Sequence, residues 1–154
     1  MLGCRPVASP IDPKFKLTKL AGEKVDRERY QSLVGQLIYL SHTCPDISFA
    51  ESVVSRYMHD PRKDHMDAVY HILRYLKGAP GMGLIFRKYG HFNIKGYCDS
   101  DWASCADDRK STSGYCMFVG GNLVSWKSKK QSVVARSIAE REYRAVAVGV
   151  AEML

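Results

Sequence analysis

The spacing of apolar residues changes twice along this 154-residue chain. Between Asp26 and Gly78 apolar side chains recur at the three-to-four-residue interval of a helix. From about residue 83 to residue 130 the interval falls to two, as in a strand, and over residues 137–154 it is helical again. Because a segment with one period does not settle into the other structure, the order must be helices, strands and a final helix. The sequence therefore predicts an α+β fold in two parts, with a boundary near residues 78–83.

The residues before the first helical segment differ from the rest in composition. Three prolines up to Pro13 break any helix there, and three lysines between Lys14 and Lys19 make the end of the stretch basic. We predict an extended basic arm over residues 1–24.

Residues 25–80 carry three amphipathic patterns in a row and predict a small helical subdomain. Asp26 is suited to cap the first helix, and a second pattern opens at Pro45. Asp60 is the expected cap of the third helix, with Pro61 in its first turn, where the missing N–H is tolerated.

Residues 81–154 predict antiparallel strands followed by one helix. The segments LIFRKY (residues 84–89) and FNIKGYCD (residues 92–99) have strand character. SGYCMFV, then Gly-Gly, then NLVSWKS over residues 113–128 predict a hairpin, because paired glycines adopt the positive φ angles of a tight two-residue turn. The last helix runs from about Ser137 to Leu154.

Two acidic residues in this second part are candidate metal ligands. Asp99 ends a predicted strand and Glu142 lies near the start of the last helix. If the helix packs on the sheet, the two carboxylates would bind Mg²⁺ through oxygen, as in phosphodiester hydrolysis assisted by metal ions. A structural alternative stands beside this, since Asp-Ser-Asp after a strand is common in turns and an early Glu is favoured by the helix dipole.

A basic balance and a local run of cations point to an anionic partner. The net charge is +7, and nucleic acid is the first candidate for such a chain. The candidate nucleic-acid contacts are Trp126, Lys127, Lys129, Lys130 and Arg136, because cations beside an aromatic ring contact phosphates and stack on bases. The alternative is a solvated strand end and loop.

Cysteine usage and hydropathy indicate an intracellular protein. The five cysteines include no CxxC pair, so neither a disulfide framework nor structural zinc is expected. No apolar run is long enough to span a membrane, and the N-terminus lacks the apolar region of a secretory signal. We expect a cytoplasmic or nuclear location and no secretion.

The motifs GYCDSDWA, DRKSTSGY, SWKSKKQ and EREYRA resemble the start of the ribonuclease H domain in copia-type retrotransposon Pol polyproteins. The preceding stretch from YQSLVGQLIYL to GMGLIF is similar to the end of their reverse transcriptase region. The resemblance covers nearly the whole chain.

The resemblance implies a truncated ribonuclease H-like fold, made of the antiparallel strands and first helix, after the end of a reverse transcriptase region. It implies hydrolysis of the RNA strand in RNA–DNA hybrids with Mg²⁺ or Mn²⁺, with Asp99 and Glu142 as catalytic metal ligands. The basic run would follow the backbone of the hybrid. The implied partners are an RNA–DNA hybrid or other nucleic acid, or a complete copia-type polyprotein, with no membrane and no small-molecule substrate.

Departures from the family pattern lead us to expect an inactive chain. The family's later catalytic acids would follow the last helix, and its polymerase aspartates would precede Asp12; neither set is in the sequence. Arg141 also stands where the family has alanine, and puts a cation beside Glu142. The metal would therefore be weakly bound, and an open sheet edge would make stability marginal. Three alternatives remain: a nucleic-acid-binding module without catalysis, an interaction fragment, and an active nuclease.

Overall fold

The structure, a computed structural model, describes residues 3–12, 17–20, 22–101, 105 and 107–154. It forms two compact units, Met1–Gly83 and Leu84–Leu154. The described residues contain four α-helices and one three-stranded antiparallel sheet, which confirms the α+β class. None of these helices is long and apolar enough to cross a membrane.

The first unit contains helices α1 (Arg27–Ser41), α2 (Ser48–Val54) and α3 (Lys63–Gly78). Single 3-10 turns at Pro45–Ile47 and Ser55–Tyr57 flank α2. The first helix begins as predicted, because the Asp26 carboxylate accepts the N–H groups of Glu28 and Arg29 at 3.0 and 3.1 Å. These N–H groups would otherwise have no partner in the first turn.

The core of the first unit lies between α1, α2 and α3. Its largest members include Tyr30, whose hydroxyl donates to the Val54 carbonyl at 2.7 Å, so that the buried polar group has a partner. Burial raises the pKa of Tyr30. The twelve buried apolar residues are Leu17, Tyr30, Val34, Leu37, Ile47, Ala50, Val54, Tyr57, Met66, Ala68, Val69 and Ile72.

The third helix begins two residues later than predicted. Asp60 does not cap it, because its carboxylate pairs instead with the Arg62 guanidinium at 2.7 Å. Arg62 occupies the cap position, and its N–H donates to Nδ1 of His65 at 3.0 Å. The His65 ring stacks on Tyr57 with centroids 3.8 Å apart, which holds this start of the helix against the core.

The described residues before Lys24 have irregular backbone and pack along α3. The carbonyls of Cys4, Arg5 and Ser9 lie 2.8 to 3.0 Å from side-chain nitrogens of α3. Residues 13–16, with two of the lysines of the predicted basic arm, lie outside the described residues.

The second unit contains strands β1 (Ile94–Ser100), β2 (Thr112–Val119) and β3 (Asn122–Lys130), hydrogen-bonded in that order, and helix α4 (Ile138–Met153). Gly120 and Gly121 form the β2–β3 turn with φ angles of 53° and 77°. The predicted hairpin and last helix are thus confirmed.

The strand predicted over residues 84–89 is wrong, since these residues join no ladder. The Asn122 side-chain amide accepts the Arg87 N–H at 2.7 Å and donates to the Arg87 carbonyl at 2.8 Å. The Asn122 side chain therefore makes the hydrogen bonds with the Arg87 backbone that a neighbouring strand would have made.

Helix α4 packs on one face of the sheet through small residues. Ala145 and Gly149 are buried, and a Cβ added at Gly149 would lie 3.5 Å from the Cβ of Cys98. Because side chains alternate along a strand, Gly96, Cys98 and Ser100 share this face, whereas Tyr97 and Asp99 start from the opposite one. That opposite face carries an edge-to-face ring pair of Tyr97 and Phe118, with centroids 5.9 Å apart.

Candidate functional site

Asp99 lies near the end of β1, opposite Gly114 of β2. Its side chain is exposed, and its Oδ1 accepts the N–H of Ser100 at 2.8 Å. This local hydrogen bond fixes one carboxylate oxygen at the strand end and leaves the other oxygen open to solvent or a cation. The glycine opposite removes a side chain that would otherwise stand beside the carboxylate.

Glu142 lies in the second turn of α4, and the side chain of Ser137 caps the helix by accepting the Glu140 N–H at 3.1 Å. The Glu142 carboxylate is 41% exposed and forms an ion pair with Arg141, with Nη2 and Oε1 3.2 Å apart. This carboxylate therefore has a cationic neighbour on its own helix.

Arg141 connects the two candidate ligands through the backbone. While one terminal nitrogen pairs with Glu142, the other donates to the carbonyl of Ser100, the residue after Asp99. The end of β1 and the start of α4 are thus joined by one guanidinium group. The side chains of Asp99 and Glu142 nevertheless set out from different sides of the sheet, because Asp99 alternates with the helix-facing Ser100.

Asp99 and Glu142 together offer at most two carboxylate ligands to a cation. Carboxylate oxygens are the ligands that Mg²⁺ prefers, and one or two of them with water are a usual set. Among the described residues there is no group of three or more Asp, Glu, His or Cys side chains able to hold a metal ion. A metal at Glu142 would also compete with the Arg141 guanidinium.

Sequence reasoning missed a buried polar cluster beneath the start of α4. Gln131 donates from Nε2 to the Ser113 hydroxyl at 2.9 Å and to the Arg141 carbonyl at 3.2 Å. Ser100 and Ser113 are 4% and 8% exposed. The strand register that brings Ser100 opposite Ser113 was the missing information, since composition alone does not bury a serine.

The predicted nucleic-acid contacts divide between the two faces of the sheet. Lys127 and Lys129 lie opposite Tyr115 and Ser113 and share the face that α4 covers. Trp126 lies opposite Cys116, on the other face. Neighbours in sequence therefore do not form one surface.

Lys130 and Arg136 have structural contacts of their own. The Lys130 ammonium group is 3.0 Å from Asp108 Oδ2 and 3.7 Å from Cys105 Sγ, in the β1–β2 loop. Arg136 is exposed, and its backbone N–H donates to Glu140 Oε2 at 2.8 Å.

A groove of about 360 Å³, the β3–α4 groove, lies between β3 and α4. Lys127, Lys129 and Lys130 line it from the sheet, and Arg144 lines it from the helix. Arg144 also pairs with Glu140, one turn earlier, at 2.8 Å. The described lining of the groove is positively charged, with no Asp or Glu.

The relatives of the chain include transposon polyproteins and a mitochondrial protein. The chain is 41% identical over 153 residues to the uncharacterized mitochondrial protein AtMg00810 of Arabidopsis thaliana, covering 99% of this chain and 64% of that protein. It is 43% identical over 154 residues to the retrovirus-related Pol polyprotein from transposon RE1, and 45% identical over 148 residues to that from transposon RE2, both of Arabidopsis thaliana.

The matches cover 99% and 96% of this chain but only 10% of each polyprotein. No family model and no solved structure matches the chain. Homologues at 40–45% identity over nearly the whole chain thus include retrovirus-related Pol polyproteins from copia-type transposons.

Proposed function

We propose that this chain is the part of a copia-type Pol polyprotein that joins the end of the reverse transcriptase region to the start of the ribonuclease H domain. The observation that carries the proposal is the order of elements in the second unit. Three antiparallel strands are followed by a helix packed on one face, with Asp99 at the end of β1 and Glu142 in the second turn of α4. This order and these two positions match what the family resemblance implies for the ribonuclease H fold.

Asp99 and Glu142 would hold Mg²⁺ or Mn²⁺. When bound, the metal would supply Lewis-acid assistance to hydrolysis of the RNA strand in an RNA–DNA hybrid. The chain's own residues orient the two carboxylates: the Ser100 N–H holds one oxygen of Asp99, and the Arg141 guanidinium holds Glu142.

The 154-residue polypeptide by itself is proposed to bind metal weakly and not to cleave a hybrid. Its described residues supply two carboxylates to the site, and Arg141 neutralises one of them at 3.2 Å. Two carboxylates do not fix the pair of ions on which this class of hydrolysis depends.

Calorimetric titration with Mn²⁺ and Mg²⁺ tests the proposed ligands. Asp99→Asn and Glu142→Gln should each abolish the measurable binding, whereas Asp107→Asn, the same change in the β1–β2 loop, should leave it unaltered. Arg141→Ala should tighten binding by up to about fivefold, because an exposed ion pair is worth up to about 1 kcal/mol.

Two outcomes would contradict the proposal. Metal binding that survives both Asp99→Asn and Glu142→Gln would remove the assigned site. Cleavage of a labelled RNA–DNA hybrid by the 154-residue chain, lost in Asp99→Asn, would show that the polypeptide is an active nuclease.

A second candidate is a nucleic-acid-binding module without catalysis, and the cationic lining of the β3–α4 groove supports it. Binding of nucleic acid in the presence of a chelator, falling steeply with salt, is its signature. An interaction fragment is supported by a different feature, since β1 is an edge strand of the sheet and offers unpaired backbone groups to another chain.

A further inference from the structure

We propose that the β3–α4 groove binds a single nucleic-acid strand through its phosphates, independently of the metal ligands at Asp99 and Glu142. The inference rests on the proposed function in one respect, namely that the chain acts on nucleic acid. It adds a second binding site and names the residues that form it.

The charges of the groove lie on facing walls. Lys127 and Lys129 project from β3, and Arg144 projects from α4, while the described lining residues include no Asp or Glu. Two residues along a strand are separated by about 7 Å, so the two lysines present a row of positive charge rather than a single point. A row of cations suits a chain of phosphates better than an isolated anion.

Of the four cations that line the groove, Lys130 is paired with Asp108, and the other three differ in how free they are to bind a phosphate. The structure records no ion pair between Lys129 and any described residue. Arg144 pairs with Glu140, a half-buried carboxylate at the protein surface that would share the guanidinium with a phosphate. Lys127 lies near Glu152, whose pKa is lowered mainly by hydrogen bonds from Ser125 and Tyr115 and further by the Lys127 charge. Lys129 and Arg144 should therefore contribute most.

The size of the groove favours a single strand over a duplex. Its volume of about 360 Å³ falls in the lower part of the range of about 300–1,000 Å³ that is usual for sites of small ligands. One nucleotide of a strand fits such a space, whereas a double helix would touch only the rim. Tyr115 and Val148 add an aromatic and an apolar surface to the lining, and an aromatic ring next to cations is the usual arrangement for strand binding without sequence preference.

Fluorescence anisotropy with a labelled oligouridylate and the matching oligothymidylate tests the inference in metal-free buffer with EDTA. Lys129→Ala combined with Arg144→Ala should lower the affinity for both probes about tenfold. The slope of log Kobs against log salt concentration should become shallower by about 1.4, since each phosphate contact to a single strand contributes about 0.7. The matched control is Lys95→Ala combined with Arg87→Ala, which removes one lysine and one arginine elsewhere in the same unit and should have little effect.

A gain-of-binding variant guards against misfolding. Glu140→Gln keeps a hydrogen-bond acceptor for the Arg136 N–H but releases Arg144 from its ion pair, so both probes should bind more tightly. Equal losses in the groove variant and in its control, or no binding of either probe at low salt, would overturn the inference. Binding of only one probe would also overturn it, because contacts to phosphates do not distinguish RNA from DNA.

Variants of the metal ligands distinguish a failure of the groove proposal from a failure of the metal-site proposal. Asp99→Asn and Glu142→Gln should leave binding of both oligonucleotides unchanged. Loss of metal binding with intact groove binding would leave the inference standing, and groove binding lost in those two variants would contradict it while leaving the metal ligands untouched.

Discussion

Lys130 ends β3 with its ammonium group directed to the β1–β2 loop. Partial burial raises the pKa of Asp108, but hydrogen bonds from the Cys105 thiol, from Lys130 and from the Lys110 N–H lower it by more, to about 2. The folded protein therefore favours the charged carboxylate. The sequence assigned Lys130 to nucleic acid, and the structure gives it a partner inside the protein.

The interaction of Asp108 with Lys130 should make the stability of the second unit depend on pH. Because the pKa in the folded state lies below the ordinary value of 3.8, the contribution of Asp108 to stability is fully present above that value and is lost as the pH falls toward about 2. Urea unfolding followed by circular dichroism should show decreasing stability of the second unit over this interval. Lys130→Met should flatten the decrease, whereas Lys95→Met should not. A slope unchanged by Lys130→Met would show that Asp108 does not depend on this lysine.

The site was predictable by residue type and less by position. The acids and the basic run could be identified from the sequence because the charge of a side chain depends on residue type alone. Which face each side chain occupies follows from strand register and alternation, and a shift of one residue exchanges the faces. This is why Trp126 and Lys127, adjacent in sequence, belong to different surfaces.

Elements with strong local determinants were the ones predicted correctly. The Gly120–Gly121 turn and the Asp26 cap are each specified by one or two residues. The segment over residues 84–89 has the alternation of a strand, but a strand also needs a partner, and the partner of Arg87 is a side chain. Asp60 does not cap the third helix because its carboxylate forms an ion pair with the Arg62 guanidinium.

The hairpin turn provides a test at the level of one element. Gly120 has a φ angle of 53°, a region that costs a residue with a side chain about 1–2 kcal/mol. A Cβ there would also lie 2.5 Å from the backbone oxygen of His91. At Gly121 the three atoms nearest to the added Cβ all belong to the ring of Tyr89, which is 53% exposed and can move.

Gly120→Ala should therefore destabilise the second unit more than Gly121→Ala, and by more than about 2 kcal/mol, because steric overlap adds to the cost of the positive φ angle. Gly114→Ala is the matched control in β2, since its Cβ would make an ordinary contact at 3.7 Å. Urea unfolding of the three variants gives the ranking. Equal losses of stability in Gly120→Ala and Gly121→Ala would mean that the backbone of His91 moves as easily as the side chain of Tyr89.

The two units differ in how much apolar surface each one buries. Among the described residues the first unit has twelve buried apolar residues in its core, and the second has only Cys105, Met117, Ala135 and Ala145. Helix α4 leaves apolar side chains exposed on its outer side, including Tyr143 at 75% and Val150 at 50%. Since burial of apolar surface is the main favourable term in folding, the second unit should be the less stable one.

Hydrogen exchange measured residue by residue tests this order. Amides of α1 and α3 should be the slowest to exchange, and those of β1 and α4 should exchange through an opening of lower free energy. Leu37→Ala should cost about 2–5 kcal/mol and speed exchange in the three helices of the first unit only. Met117→Ala should act on the sheet and α4 in the same way and leave α1 and α3 protected. If both variants lowered the protection of every amide alike, the chain would unfold as one cooperative structure, and the difference in buried apolar surface would not determine its stability.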